Sequence, residues 1–517
     1  MTSFSGCRRA AADHLIAGLL PLLLCCFSFS ASAQEFTEVV INAGFQITHP
    51  IQTAKLAGAK QSHILLAGRN ADLDQLLAIY RIDSTNLEVP TLVASISPDS
   101  RKIAFDIARF SDKDALVFIE PGRIVAYDIE TGEYQQIAEI SSLYGQERVG
   151  GIVPIDFFRD LNGDDLDDLI VTDVSGYRVR LQMPDGRLGP ESILDKSVTM
   201  SLSDNSVWFS NRSLVIGDMN FDGLSDLAVW SGANLQVYVQ QADGKFAATA
   251  IERDTGLNVL TDQEIQALED DRGAVDQKGL EESRIYSIED LNGDAIPDIL
   301  TESTYSEGLF DKRNEFRLHL GQDGQDFVTY QPEPDALLAS EGILFDPIST
   351  DIDGDGRMDL LTRKARLSFG RIIRALISGG MNLELQFYKM TQSETYPDEA
   401  NYSTKTRVRF SRSSGQVDIP AFEVADFDGD GLQDLLLQSG ADELGFYRGI
   451  RNDDLFAKRT TQINVKLPRN GELADSIDVN GDDRIDLIMR YSVADSELLS
   501  QSIRMLIHSG EMVVATE

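Results

Sequence analysis

The chain has 517 residues, with 84 Asp and Glu against 46 Lys and Arg, a formal net charge of −38. That balance excludes nucleic acid as a partner, since phosphate recognition needs clustered Lys and Arg, and it creates a self-repulsion that bound cations would relieve. All three cysteines, Cys7, Cys25 and Cys26, sit close to the N-terminus, so the rest of the chain has no thiol for disulfides, zinc or nucleophilic catalysis.

Residues 1–33 read as a secretory signal: Arg8 and Arg9 provide the positive start, 15–29 the apolar stretch, and Ala31-Ser32-Ala33 the small-residue cleavage site. Gln34 is then the expected first residue of the mature chain, and losing Arg8, Arg9 and Asp13 takes the charge from −38 to −39. The protein is expected to be exported, to a periplasm, a cell surface or the medium. No later segment is long and apolar enough to span a bilayer.

Beyond the signal, one nine-residue frame recurs, with starts at 55, 106, 160, 218, 290, 351, 426 and 478. Each copy runs into a short apolar segment, as in Ile64-Leu65-Leu66, Ala115-Leu116-Val117-Phe118 and Leu169-Ile170-Val171. A continuous apolar run bounded by turn residues predicts a strand buried on both faces. The first two copies keep the strand and lose ligands: Lys55, Ala57, Ala59 and His63 remove all four acidic positions in one, while Ala108 and Phe110 replace the inner two between Asp106 and Asp114 in the other.

The six downstream copies keep Asp or Asn at positions one, three, five and nine. They are Asp160, Asn162, Asp164 and Asp168; Asp218, Asn220, Asp222 and Asp226; Asp290, Asn292, Asp294 and Asp298; Asp351, Asp353, Asp355 and Asp359; Asp426, Asp428, Asp430 and Asp434; and Asp478, Asn480, Asp482 and Asp486. Calcium takes six to eight oxygen ligands, and alternate residues of a tight turn can point inward together to supply them. Position seven, Leu166, Leu224, Ile296, Arg357, Leu432 or Arg484, would add a backbone carbonyl, and the ninth-position aspartate would complete the shell. Gly163, Gly223, Gly293, Gly354, Gly429 and Gly481 permit the bend. Up to six Ca2+ ions are expected, since magnesium's water-retaining octahedral shell suits such a loop poorly.

The helix-loop-helix calcium hand is excluded because position twelve, its Glu, is here Val171, Val229, Thr301, Thr362, Leu437 or Met489. Alternating segments follow the buried ones, at 177–181, 235–239 and 316–320, and lead into Asp-Gly turns at Asp185-Gly186, Asp243-Gly244 and Asp323-Gly324. One repeat is therefore a four-stranded antiparallel blade. Eight copies predict an all-β, eight-bladed β-propeller spanning 34–517, or seven blades if the copy at 55 is only a strand remnant. Segment 38–47 is free to close the ring against the last blade. Insertions fall at 254–284, where Thr261-Asp262-Gln263-Glu264 forms a capping box, and at 389–420.

With these residues in place, the pattern resembles the FG-GAP/VCBS repeat family, whose members include the propeller at the head of integrin α subunits. The resemblance covers about the whole mature chain and implies calcium between the first two strands of a blade. Pro297, Asp165 and Asp483 depart from the usual pattern. It implies two functions: a binding or adhesion scaffold for a protein or glycan partner, or a polysaccharide-active enzyme resembling rhamnogalacturonan lyases. Binding is favoured, because His49, His63, His319 and His508 are scattered, no nucleophile motif occurs, and calcium accounts for the patterned carboxylates. His319, on an alternating segment, reads as a satisfied strand residue. Tyr388, Tyr396 and Tyr402, in or beside the second insertion, are candidate partner contacts.

Overall fold

The computed structural model describes residues 36–508 apart from 60, 84–85, 112, 144–151, 174, 196–198, 204–205, 211–213, 262–263, 266, 269–278, 309–310, 340–341, 367–368 and 412–415. The signal segment lies outside the described residues. The chain forms eight antiparallel blades in sequence order. Blade three is typical: Phe158–Arg159, Asp168–Asp173, Gly176–Arg180 and Ser192–Leu194 pair in that order, with Leu169 opposite Arg180 and Tyr177 opposite Leu194.

The apolar second strands are explained by what lies on their two faces. Side chains alternate across a strand, and here both sides face a neighbouring blade: Leu169 and Val171 pack into blade two while Ile170 packs into blade four. In blade six Leu360 turns to blade five and Leu361 to blade seven. Among the described residues, every pair of successive blades shares one buried cluster. The last of these joins Ile488 and Met505 of blade eight to Ile64 and Leu66 of blade one, so the ring is closed.

Closure is also made by hydrogen bonding. Phe36–Asn42 adds to Ser502–His508 as the outer strand of blade eight, with Val39 opposite Met505. Only part of segment 38–47 does this, because Gln46–Ile47 turns back to pair with His63–Arg69 of blade one. That pairing gives the copy at 55 a full blade, which settles eight blades over seven. First strands of neighbouring blades meet side by side: Ser349 Oγ donates to Glu289 Oε2 at 2.6 Å and Ser476 Oγ to Glu423 Oε2 at 2.7 Å.

Additions sit outside this plan. A two-stranded ribbon, Thr199–Ser203 with Ser206–Ser210, follows blade three, and the helix Phe369–Ser378 interrupts blade six between its second and third strands. Thr261 and Glu264 exchange capping bonds, with Thr261 N–H donating to Glu264 Oε2 at 2.8 Å and Glu264 N–H to Thr261 Oγ1 at 3.3 Å. Within 389–420, Tyr402–Phe410 is the fourth strand of blade six and Val417–Asp418 a fifth. The structure corrects the three tyrosines as candidate partner contacts: Tyr388 and Tyr396 are buried, and Tyr402 packs edge-on against Phe387 and Phe456. His319 is buried, with Nδ1 2.9 Å from the Gln331 carbonyl. No helix of the described residues is long and apolar enough to cross a membrane.

Candidate metal centres

All six acidic loops join the first and second strands of blades three to eight, so antiparallel alternation puts them on one face of the ring. Successive loops touch. Met358 N–H donates to the Leu291 carbonyl at 2.8 Å, Gln433 N–H to Ile352 at 2.9 Å and Ile485 N–H to Asp426 at 3.2 Å. The bend has the same form throughout: positions four and six both take a left-handed backbone. Glycine adopts it freely at Gly163, Gly223, Gly293, Gly354, Gly429 and Gly481, with φ between 71° and 83°. Asp165, Phe221, Ala295 and Asp483 adopt it with a Cβ, at φ 62° to 67°, which stores strain that the loop's bonds must offset.

Position one organises the turn. Asp426 Oδ1 accepts from Gly429 N–H at 2.7 Å and Asp430 N–H at 3.1 Å, and its Oδ2 from Gly431 N–H at 2.9 Å. Asp160, Asp290, Asp351 and Asp478 make the corresponding bonds, and Asp218 those from positions five and six, Asp222 at 3.1 Å and Gly223 at 2.7 Å. Position five holds position seven, as when Asp430 Oδ1 accepts from Leu432 N–H at 2.9 Å.

Position nine does more than offer a ligand. Asp168, Asp226, Asp298, Asp359, Asp434 and Asp486 are all 0% exposed. One oxygen of each accepts from the backbone N–H of position two, and the other from a backbone N–H at or just beyond the end of the third strand. For Asp434 the donors are Phe427 at 3.1 Å and Gly449 at 2.8 Å. For Asp168 they are Leu161 at 3.0 Å and Gln182 at 2.6 Å. Burial pushes these carboxyls up, to about 6 for Asp226, about 7 for Asp168, Asp298 and Asp359, and about 8 for Asp434 and Asp486. Neighbouring loop carboxylates push the same way and the backbone donors only partly oppose them.

Sequence reasoning missed this staple. Its signal was present, because position two is apolar in every acidic loop: Leu161, Met219, Leu291, Ile352, Phe427 and Val479, each 0% or 1% exposed.

The loops differ at position three. Where it is Asn, the amide donates to the position-five carboxylate: Asn162 to Asp164, Asn220 to Asp222 and Asn480 to Asp482 at 3.1 Å, and Asn292 to Asp294 at 3.2 Å. Where it is Asp, carboxylates converge instead. One oxygen each from Asp351, Asp353 and Asp359 lies within 4.8 Å of the others, and so do oxygens of Asp426, Asp428 and Asp430.

Asp428 is 0% exposed and neither of its oxygens accepts a hydrogen bond, although Arg448 Nη1 stands 3.0 Å from Oδ2. Burial, reinforced by Asp430, pushes this carboxyl up to about 6. Asp353 Oδ1 is similarly orphaned, while its Oδ2 is held by Lys389. Buried oxygens without donors in a ring of carboxylates fit a hard divalent cation. Lys389 and Arg448, standing where positive charge is needed, were also missed from sequence. At position seven, Arg357 and Arg484 pair with Asp355 at 2.5 Å and Asp482 at 2.7 Å.

No family profile matches the chain, and no curated protein matches it in sequence. Among solved structures it is similar to a lectin from Agrocybe aegerita, described for specific recognition of non-reducing terminal N-acetylglucosamine (13% identity, 90% of this chain, 98% of that one, TM-score 0.43). It is also similar to Sqt1 from Chaetomium thermophilum (12% identity, 91% of this chain, 100% of that one, TM-score 0.39). A third likeness is the V. cholerae biofilm matrix protein Bap1 (10% identity, 92% of this chain, 91% of that one, TM-score 0.28).

Proposed function

We propose that this chain is an exported β-propeller of the FG-GAP/VCBS type, braced by calcium in its six acidic loops and serving as a binding scaffold for a protein or glycan. The observation that carries the calcium reading is Asp428: a fully buried carboxylate with no hydrogen-bond donor, beside Asp426 and Asp430. A buried carboxylate that accepts no hydrogen bond is costly even with one cation, Arg448, beside it, and a metal in the ring reduces that cost. The scaffold reading rests on the architecture: a closed ring holds its loop faces rigidly, so side chains from several blades can meet one partner. Elemental analysis of the purified protein after dialysis against calcium tests the brace. Up to six bound Ca2+ per chain are expected; retention of none at saturating calcium refutes it.

A further inference from the structure

The face opposite the acidic loops carries a feature that the chain's composition makes improbable by chance. Residues 363–412 contain ten Lys and Arg against four Asp and Glu, within a chain of net charge −38. The fold gathers these cations. Lys364 and Arg366 leave the second strand of blade six, Arg371 and Arg374 stand on the helix Phe369–Ser378, and Lys405 and Arg407 belong to the fourth strand. Together they line a concavity of about 680 Å³ whose lining holds one carboxylate, that of Glu384. Glu384 lies in register between Lys364 and Lys405, one cation on each side.

Several cations elsewhere in the protein are matched to its surplus carboxylates: Arg178 to Asp173 and Glu191, Arg284 to Glu302, Arg317 to Glu315. Among the described residues Lys364, Arg371, Arg374 and Lys405 have no such pair. With 84 acidic residues available, leaving four clustered cations unpaired keeps them for an anion from outside.

The concavity continues. A second one, of about 580 Å³, shares Asn382, Lys405 and Arg407 with the first and runs on between blades six and seven. Its walls mix charge with neutral hydrogen-bonding groups, among them Thr404, Gln438 and Ser439, and with the ring of Tyr447. Two adjoining concavities of this volume suit a chain rather than a single ion. Alternation of cations with hydroxyls and amides suits a chain that alternates anionic with hydroxyl groups. Nucleic acid fits less well, because its charge is dense, one per about 1.7 Å of duplex, and the rest of this surface repels it.

We infer that the trough from Lys364 to Arg407 and on towards Tyr447 binds an acidic polysaccharide, with its carboxylates on the guanidinium and ammonium groups. This deepens the scaffold reading by naming a ligand class, and stands apart from the calcium loops on the other face.

The test is calorimetric titration of the calcium-loaded protein with polygalacturonate, with neutral dextran and anionic phosphatidylglycerol vesicles as comparison arms. Binding of polygalacturonate alone is expected, weakening as salt rises. Arg371→Glu with Arg374→Glu should bind at least about tenfold more weakly. Because charge reversal on a helix can disturb folding, Lys364→Gln with Lys405→Gln provides a milder variant, and its melting temperature in calcium checks the fold. Three outcomes overturn the inference: no binding of polygalacturonate, equal binding by folded variants, or preference for the vesicles, which the exposed Ile373 and Ile377 of the same helix would then explain. Loss of the calcium brace would appear instead as a chelator-insensitive melt with glycan binding intact, so the two readings fail separately.

Discussion

Blade one joins its first two strands with none of the carboxylates that blades three to eight place in the same connection, and blade two keeps only the outer two, Asp106 and Asp114, without the inner pair. In blade two the strands Ala104–Phe110 and Lys113–Glu120 simply continue to a tight hairpin with Phe110 opposite Lys113, and Phe110 packs 5.8 Å from Phe158. In blade one the turn passes through Ala57 and Gly58 at φ 55° and 69°, and Leu56 bridges to Asp114 of the next blade. A blade can therefore be closed without the inner carboxylates, by backbone pairing, apolar contact and outer aspartates that accept from backbone N–H groups: Asp106 Oδ2 from Phe157 and Phe158 at 2.8 Å, and Asp114 Oδ2 from Lys55 at 2.5 Å. Where the inner carboxylates are present, they answer a different need, and removing their counter-charge should loosen six connections while leaving two untouched.

The largest effect expected is from chelation. If calcium stands about a hundredfold above its dissociation constant, each site stabilises the fold by about 2.7 kcal/mol, against about 5–15 kcal/mol for a whole domain. Excess chelator should lower the melting temperature by tens of degrees. Hydrogen exchange should show protection lost in 160–168, 218–226, 290–298, 351–359, 426–434 and 478–486 and kept in 106–110. Equal loss in blade two would abolish the distinction between the two kinds of blade.

Acidity should next separate the two states. In the metal-free protein, burial raises the ninth-position aspartates to between about 6 and about 8, and Asp106 and Glu423 to about 7. Groups raised above their unfolded values bind more protons when folded. Their contribution is full below about pH 4 and is lost as pH rises towards 8. His49, His63 and His319 are lowered by burial and oppose this below about pH 6.5, but they are fewer. Chelated protein should therefore melt higher at pH 5.5 than at pH 8. Calcium-loaded protein should do the reverse, because its ligands must be deprotonated.

A third, smaller effect isolates the staple from the metal. Asp434→Ala strands the N–H groups of Phe427 and Gly449, at about 1–3 kcal/mol each. Stability should fall by about 2–6 kcal/mol in chelator as well as in calcium. A loss seen only in calcium would make Asp434 a ligand and nothing more.

The blade order and the buried strands could be read from sequence because they rest on a period. Ile170 between Leu169 and Val171 is apolar on both sides wherever blades flank both faces. The acidic loops were legible for the same reason, as a spacing. What could not be read depends on contacts between residues far apart in the chain. Nothing local marks Gln182 or Gly449 as a partner of a ninth-position carboxylate, Arg448 as a neighbour of Asp428, or Tyr396 as a residue whose hydroxyl donates to the Met358 carbonyl at 2.9 Å. The turn at Asp323-Gly324 fails more locally. Gln325 takes the left-handed backbone at φ 80°, and the segment forms a small ribbon of Gln322–Asp323 with Val328–Thr329 instead of leading straight to the outer strand.

Contact between successive loops gives the next prediction. Gly293 and Gly223 share the left-handed backbone, at φ 81° and 83°, yet a Cβ on Gly293 would meet the Gly356 carbonyl at 2.3 Å, whereas one on Gly223 would meet nothing within 4 Å. Both alanine variants should lose about 1–2 kcal/mol to backbone strain. Gly293→Ala should lose about 1–3 kcal/mol more, because the crowded carbonyl belongs to the next blade's loop. Equal denaturant midpoints would mean that the loops are not chained.

The smallest effect carries the sharpest sign. Asp428→Asn removes a buried negative charge that has no hydrogen-bond donor and leaves Arg448, which is 33% exposed in its side chain, able to turn to water. Without metal, the carboxylate is a cost, so the variant should be more stable than the parent by about 1 kcal/mol. With calcium bound, the same carboxylate is a ligand, so the variant should be less stable by a similar amount. Only an ion among these carboxylates makes one substitution change sign between the two conditions, and melts in calcium and in chelator read it directly. A shift of the same sign in both would leave Asp428 paired to Arg448 alone, and blades three to eight would then be braced as blades one and two are.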